Sequence, residues 1–253
     1  MDNFKLRSVL SLLSVPLFVL YFFTTLISTK NVQAQQKPLV IDKLNERLYV
    51  YTTYHDFQGT LVSANAIYLL TNDGAILFDT PWDSTQYQPL LDSIQAKHGL
   101  SVIGVYATHW HDDRAGGFDF YNKKGIPTYA TSLTNQLLAA NKKTTATHIV
   151  NTGEMISVGG EKFQMDFFGA GHSLDNTVIW FPSYRVLQGG CFIKSAEATD
   201  LGFVGDGDIK QWKPSLARLI ANYPDIEMVI PGHDSWKPAD HIKATDRLIE
   251  QAN

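Results

Sequence analysis

The feature that most constrains this chain is the stretch Thr108-His109-Trp110-His111-Asp112-Asp113-Arg114-Ala115-Gly116-Gly117, which follows the apolar run from Val102 to Ala107. The run reads as a buried strand, so a strand delivers two imidazoles and a carboxylate into one turn. In an apolar core each of those polar side chains would need a buried partner. A metal site supplies the partner. The alternation lets His109 and His111 converge on one cation, and Asp113, round the turn, can face a second. Gly116-Gly117 gives a compact backbone that is expected to open a helix close to the metals.

The other metal-binding residue types fall in similar places. His172 in Gly169-Ala170-Gly171-His172-Ser173, Cys191 in Gly189-Gly190-Cys191 and His233 in Pro231-Gly232-His233 each come after a strand pattern and beside glycine. Groups on several loops at one edge of a sheet scaffold can converge on a single cleft. Of the remaining histidines, His98 and His241 sit in helical patterns and His148 in a polar loop, which suits surface or capping roles. His55 lies at a loop tip and either borders the cleft or is solvated. A set of His109, His111 and His172 would leave a tetrahedral zinc one open position, the mark of a catalytic site. Asp113, Cys191 and His233 offer a second set of O, S and N donors. Zinc is borderline-soft and redox-inactive and suits both sets, so two zinc ions per chain are expected.

The surrounding pattern is that of a layered α/β protein with helices outside two sheets. Leu48 to Thr53 alternates as a strand, and Tyr54 to Thr60 reads as a loop. Ala64–Leu70 and Ala75–Phe78 are apolar runs joined through Asn72-Asp73-Gly74, a hairpin signal. Helices are expected over Tyr87–Lys97, Gly117–Lys123, Leu133–Asn141, Gln211–Asn222 and Ala239–Gln251. Further strands are expected at Thr128–Ala130, Met155–Val158, Lys162–Phe168, Val178–Phe181, Val186–Gln188 and Met228–Ile230. Asp79, at the mouth of a buried strand, is either a helix cap or a carboxylate supporting the metal cleft.

The first 34 residues differ from all that follows. Lys5 and Arg7 precede a nearly uninterrupted apolar run from Val9 to Ser28, and Val32-Gln33-Ala34 offers a cleavage site, which is the layout of a secretory signal peptide. The run is also long enough for an uncleaved anchor, but Pro16 and the Val-x-Ala ending favour cleavage after Ala34. The mature chain is then residues 35–253, one catalytic domain, periplasmic and without stable membrane association. Export with a lone cysteine allows no intramolecular disulfide and implies that Cys191 is buried or holds a metal. The whole chain carries a net charge of −4, and removal of Lys5, Arg7, Lys30 and Asp2 makes the remainder more acidic. That weighs against nucleic acid as a partner. A monomer is expected.

The motifs Thr-His-x-His-x-Asp-Arg-x-Gly-Gly, Gly-His-Ser-x-Asp-Asn-Thr, Gly-Gly-Cys-x-x-Lys and Pro-Gly-His resemble those of the exported class B metallo-β-lactamases. The likeness is to the subclass with three histidines on one zinc and Asp, Cys and His on the other, and it runs from about Lys43 to the end. It implies an αβ/βα four-layer sandwich and hydrolysis of penicillins, cephalosporins and carbapenems, conferring antibiotic resistance. It implies that His109, His111 and His172 bind one zinc, and that Asp113, Cys191 and His233 bind the other. It further implies that Lys194 holds the substrate carboxylate, that the loop from His55 to Gly59 covers the bound drug, and that Asp79 supports the cleft from below. Water on the three-histidine zinc would have a pKa near 7 and attack the lactam carbonyl as hydroxide, with Asp113 orienting it. Phe57 at the loop tip either contacts substrate or simply packs. Two positions depart from common patterns. Leu201-Gly202-Phe203 stands where the family usually has Leu-Gly-Asn, so side-chain polarisation of the carbonyl is lost at Phe203. Arg114 stands where related hydrolases of glyoxalase type carry His. Two other readings are open to the same residues: a zinc hydrolase of thioesters or lactones, against which Arg114, Cys191, Lys194 and the export signal count, and an exported zinc-storage protein.

Overall fold

The computed structural model describes Met1 and residues 39–252. The expected signal peptide, residues 1–34, lies outside the described residues except for Met1. The elements in chain order are β1 (Val40–Lys43), β2 (Leu48–Phe57), β3 (Thr60–Leu70), β4 (Ala75–Phe78), α1 (Tyr87–His98), β5 (Val102–Tyr106), α2 (Asp112–Ala115) and α3 (Phe118–Lys123). There follow β6 (Thr128–Ala130), α4 (Ser132–Ala140), β7 (His148–Ile149), β8 (Met155–Val158), β9 (Glu161–Asp166) and β10 (Val178–Phe181). The chain closes with β11 (Val186–Gly190), α5 (Ile209–Asn222), β12 (Met228–Pro231) and α6 (His241–Ala252).

The strands form a seven-stranded sheet in the order β1 to β7 and a five-stranded sheet in the order β12-β11-β10-β9-β8. The period-two geometry of a strand assigns alternate residues to opposite faces. In β2, Leu48 and Val50 join the core between the sheets, while Tyr49 and Tyr51 face the helices. The same division separates Ile67 and Leu69 from Ala66 and Tyr68 in β3, and Ile76 and Phe78 from Ala75 and Leu77 in β4. In the second sheet Ile179 and Phe181 pack inward, whereas Val178 and Trp180 lie with Trp212 and Leu216 of α5 and Leu248 of α6. Because both faces of each sheet are covered, these strands are apolar on both sides. The result is the expected four layers: helices, sheet, sheet, helices.

Several local expectations change. The segment from Tyr54 to Thr60 is a continuation of the β2–β3 hairpin, with Phe57 paired to Thr60. Its two-residue turn has positive φ at both Gln58 (53°) and Gly59 (82°), the type I′ geometry that matches strand twist. Gln-Gly is a weaker signal for that turn than Asn-Gly, which is why it reads as a loop. The helix after the metal motif starts at Asp112, before the glycines, and breaks at Gly116-Gly117 before α3 resumes at Phe118. His148 belongs to a short strand rather than a loop. His241 is buried, with its Nδ1 accepting the Ala196 N–H at 2.9 Å. His98 meets the Tyr68 hydroxyl at 2.9 Å.

Candidate metal centre

The site lies where parallel strands end together. β4 and β5 run parallel, as do β11 and β12. Asp79 and Thr108 therefore emerge side by side from one sheet, and Cys191 and His233 from the other. Strand carboxyl ends are the usual place for a ligand cleft in α/β folds. His172 joins from the connection between β9 and β10.

His109, His111 and His172 come together, each offering a ring nitrogen within 4.8 Å of the others. Their ring centroids are 4.8–5.0 Å apart, with planes crossing at 75–90°. His111 Nδ1 lies 3.1 Å from His172 Nε2. His109 Nε2 and His172 Nδ1 are buried without a hydrogen-bond partner. Burial holds both His109 and His172 well below the ordinary histidine value, and the cationic neighbours add to it while Asp113 opposes it. A neutral imidazole with an unmet buried nitrogen, as at His109 Nε2, is the form in which histidine binds a metal; His172 turns Nε2, not its unmet Nδ1, toward His111.

The second set is equally close. Cys191 Sγ lies 3.2 Å from both Asp113 Oδ2 and His233 Nε2, and His233 Nε2 lies 3.3 Å from Asp113 Oδ2. His109, Asp113 and Cys191 also offer donors within 4.8 Å of one another, so both sets share one cleft. Burial opposes charge on Asp113, but Arg114 and His233 outweigh it and hold the carboxyl well below the usual range. Burial likewise pushes His233 down, and Cys191 and Asp113 outweigh it, raising the imidazole to about 9.

Arg114 is the cation beneath this second set. It is fully buried. Nε pairs with Asp113 Oδ2 at 2.8 Å, and Nη2 donates to Cys191 Sγ at 3.2 Å and to the Gly232 carbonyl at 2.8 Å. Nη1 reaches the Asn65 carbonyl at 2.7 Å and Asp79 Oδ2 at 3.4 Å. Asp79 is no helix cap: its carboxylate accepts the Thr108 N–H at 2.7 Å and the Gln188 amide at 2.7 Å, directly below the His109 turn. Its φ of 71° is a left-handed conformation that Asp tolerates better than most residues.

The donors open into a cavity of about 640 Å³ lined also by His55, Phe57, Trp82, Trp110, Lys194 and Phe203. Lys194 is buried with its ammonium 5.3 Å from the Trp212 ring centroid. Burial pushes its pKa down, against Cys191 and Asp113. His55 stacks on Trp82 at 4.9 Å and so borders the cleft. Phe57 is 44% exposed, with its ring 5.8 Å from that of Trp82.

Sequence reasoning missed the residues that orient the donors. Asp206 Oδ2 lies 3.0 Å from His111 Nε2. The Ser63 carbonyl lies 2.6 Å from His233 Nδ1. The Asn65 amide donates to the Pro231 and Asp234 carbonyls at 3.1 and 2.9 Å, bracketing His233. Asp175 Oδ2 accepts the Trp110 N–H between the two histidines of the motif, at 3.0 Å. Asp206 lies in a Gly- and Asp-rich loop, a weak signal that does not say which carboxylate turns inward.

Residues 59–233 match the family model described as the metallo-beta-lactamase superfamily. The chain is 44% identical to metallo-beta-lactamase IND-1 of Chryseobacterium indologenes, over 91% of this chain and 97% of that protein. It is 40% identical to a metallo-beta-lactamase type 2 of Elizabethkingia meningoseptica, over 87% and 89% of the two chains. Among solved structures, metallo-beta-lactamase IND-7 superimposes with a TM-score of 0.83 at 46% identity, covering 85% of this chain and 100% of that one. With two sheets carrying donors to a shared edge and this likeness across the whole described domain, the chain belongs to the metallo-beta-lactamase superfamily.

Proposed function

We propose that this protein is a zinc-dependent β-lactamase that opens the β-lactam ring of penicillins, cephalosporins and carbapenems, holding two zinc ions and acting in the periplasm after loss of residues 1–34. The observation that carries the reading is the convergence of six donor side chains on one cleft, with His109 Nε2 buried there and met by no other group. That donor chemistry fits zinc. His109, His111 and His172 would hold one ion and Asp113, Cys191 and His233 the other. When bound, zinc supplies Lewis-acid polarisation of a carbonyl and makes water acidic enough to attack near neutral pH.

The chain's own groups do the rest. Asp206 fixes the His111 ring by accepting at Nε2, which leaves Nδ1 for the cleft. The Ser63 carbonyl at Nδ1 does the same for His233, whose Nε2 faces Asp113 and Cys191. Arg114 keeps Asp113 ionised and aims both Asp113 and Cys191. Lys194 presents a compact cation that a substrate carboxylate would neutralise, offsetting its burial. The β2–β3 hairpin carries Phe57 and His55 to the rim and shields the bound substrate from water. Among the described residues no helix is long and apolar enough to cross a membrane.

The test is loss of imipenem absorbance with the purified protein, with and without a chelator. Turnover that the chelator abolishes and zinc restores is expected. No turnover by folded, zinc-loaded protein would remove the β-lactamase reading and direct assays to thioesters and lactones.

A further inference from the structure

We propose that Phe203 is a specificity-determining residue whose ring forms an apolar wall of the metal cleft, favouring β-lactams that carry an aromatic or bulky apolar amide substituent. The inference rests on the β-lactam reading above and names the substrate class within it. Phe203 is 55% exposed and lines the 640 Å³ cavity. Its ring stands edge-on to His111, with centroids 5.9 Å apart and planes at 65°.

The loop builds a seat for this ring. Gly202 turns the chain at φ 64° just before it. A Cβ on Gly205 would fall 2.8 Å from the end of the Phe203 ring, so the backbone at Gly205 passes close beneath the ring. Phe57, also exposed and lying against Trp82, lines the same cavity from the hairpin of the other sheet.

Chemically, phenyl has no hydrogen to donate to a carbonyl. What it offers is apolar area that water covers poorly and that an aromatic group covers well, with a further gain from offset or edge-on ring contact. A polar or charged substituent would give up hydration against the ring for nothing in return. Phe203 therefore moves the site away from hydrogen-bonded recognition of the lactam carbonyl and toward recognition of the substituent.

Benzylpenicillin and 6-aminopenicillanic acid share the bicyclic nucleus and the carboxylate and differ by the phenylacetyl group. The readout is the ratio of their kcat/KM values, measured for the unaltered zinc-loaded protein and for Phe203→Asn, Phe203→Ala and Phe203→Leu. In the Asn and Ala variants the ratio is expected to fall about tenfold, at the low end of what an apolar pocket contact contributes. Most of that fall should lie in KM for benzylpenicillin. Phe203→Leu, still apolar, should retain most of the ratio. A purely structural role would lower both substrates together and leave the ratio within twofold, which overturns the proposal. Phe57→Ala, on the exposed hairpin, should lower the same ratio and remains readable if a 203 variant folds poorly; an unchanged ratio there also counts against the apolar wall. Hydrolysis of neither penicillin by the unaltered protein would defeat the β-lactam reading itself, an outcome distinct from hydrolysis with an insensitive ratio.

Discussion

Three imidazoles meet in one half of the cleft with His109 Nε2 buried and unmet, whereas in the other half Asp113, Cys191 and His233 already hold one another within 3.2–3.3 Å and rest on Arg114. In the first group burial keeps His109 and His172 neutral. The second is a charged cluster that compensates itself, with a cation below and an imidazole raised to about 9 within it. The difference is one of what a metal ion has to do. At the first group it satisfies a buried His109 lone pair that nothing else reaches. At the second it must displace a proton from contacts that are already favourable.

The largest test of this contrast concerns the metal-free fold. Arg114→Met keeps an unbranched apolar stem and removes the guanidinium, leaving Asp113 and Asp79 buried without their cation. Breaking a buried pair in this way costs about 3–5 kcal/mol, read as a lower urea midpoint for the metal-free protein. His109→Ala removes the imidazole whose Nε2 is unmet, and its cost should be well below that of Arg114→Met. Equal losses in the two variants would erase the distinction between a self-compensated and an unsatisfied group.

Metal affinity gives the next two tests, and they should separate the halves. Cys191→Ser replaces a soft donor by a hydroxyl and should weaken the second ion by more than about 100-fold, the upper range for loss of an outer partner alone. The first ion should stay, so zinc analysis after competition with a chelator should fall toward one per chain. Asp206→Ala leaves all six donors but frees the His111 ring. It should weaken the first ion by about 10–100-fold and spare the second. A variant that lost both ions together would show the halves to be one coupled site.

That Asp206 needed the structure, while His109 did not, shows where the sequence is readable. The six donors stand out because Gly-flanked His and Cys at strand exits have few other uses, and the layers follow from period-two alternation in strands such as β2 and β10. The orienting groups leave no such pattern. Asp206 is one of several acidic residues in its loop, Asn65 lies in the middle of an apolar strand, and the Ser63 carbonyl belongs to the backbone. Asp79 was legible as a carboxylate at a strand mouth, but its role depended on the parallel pairing of β4 with β5, which sets it beside Thr108. The hairpin tip was misread because Gln58 takes a positive φ that its residue type does not announce.

The smallest expected effect is also the most direct reading of the contrast. A histidine binds a metal only when neutral. His233, raised to about 9, carries its proton at pH 7 in the metal-free protein. Binding at the second group must expel it. Affinity there should therefore rise with pH, by about tenfold per unit for each proton displaced, and the His233 contribution should level off above about 9. His109 and His172 are held well below 6.5, so over the same range these two imidazoles have no proton to lose and add no pH dependence at the first group. Calorimetric titration of the metal-free protein with zinc, in two buffers of different protonation enthalpy, counts the protons released by each equivalent. Release confined to the weaker, pH-dependent equivalent fits the two-part cleft. Equal release by both would mean that the imidazoles of the first group are protonated before the metal arrives, and that the two halves do not differ in the way their geometry indicates.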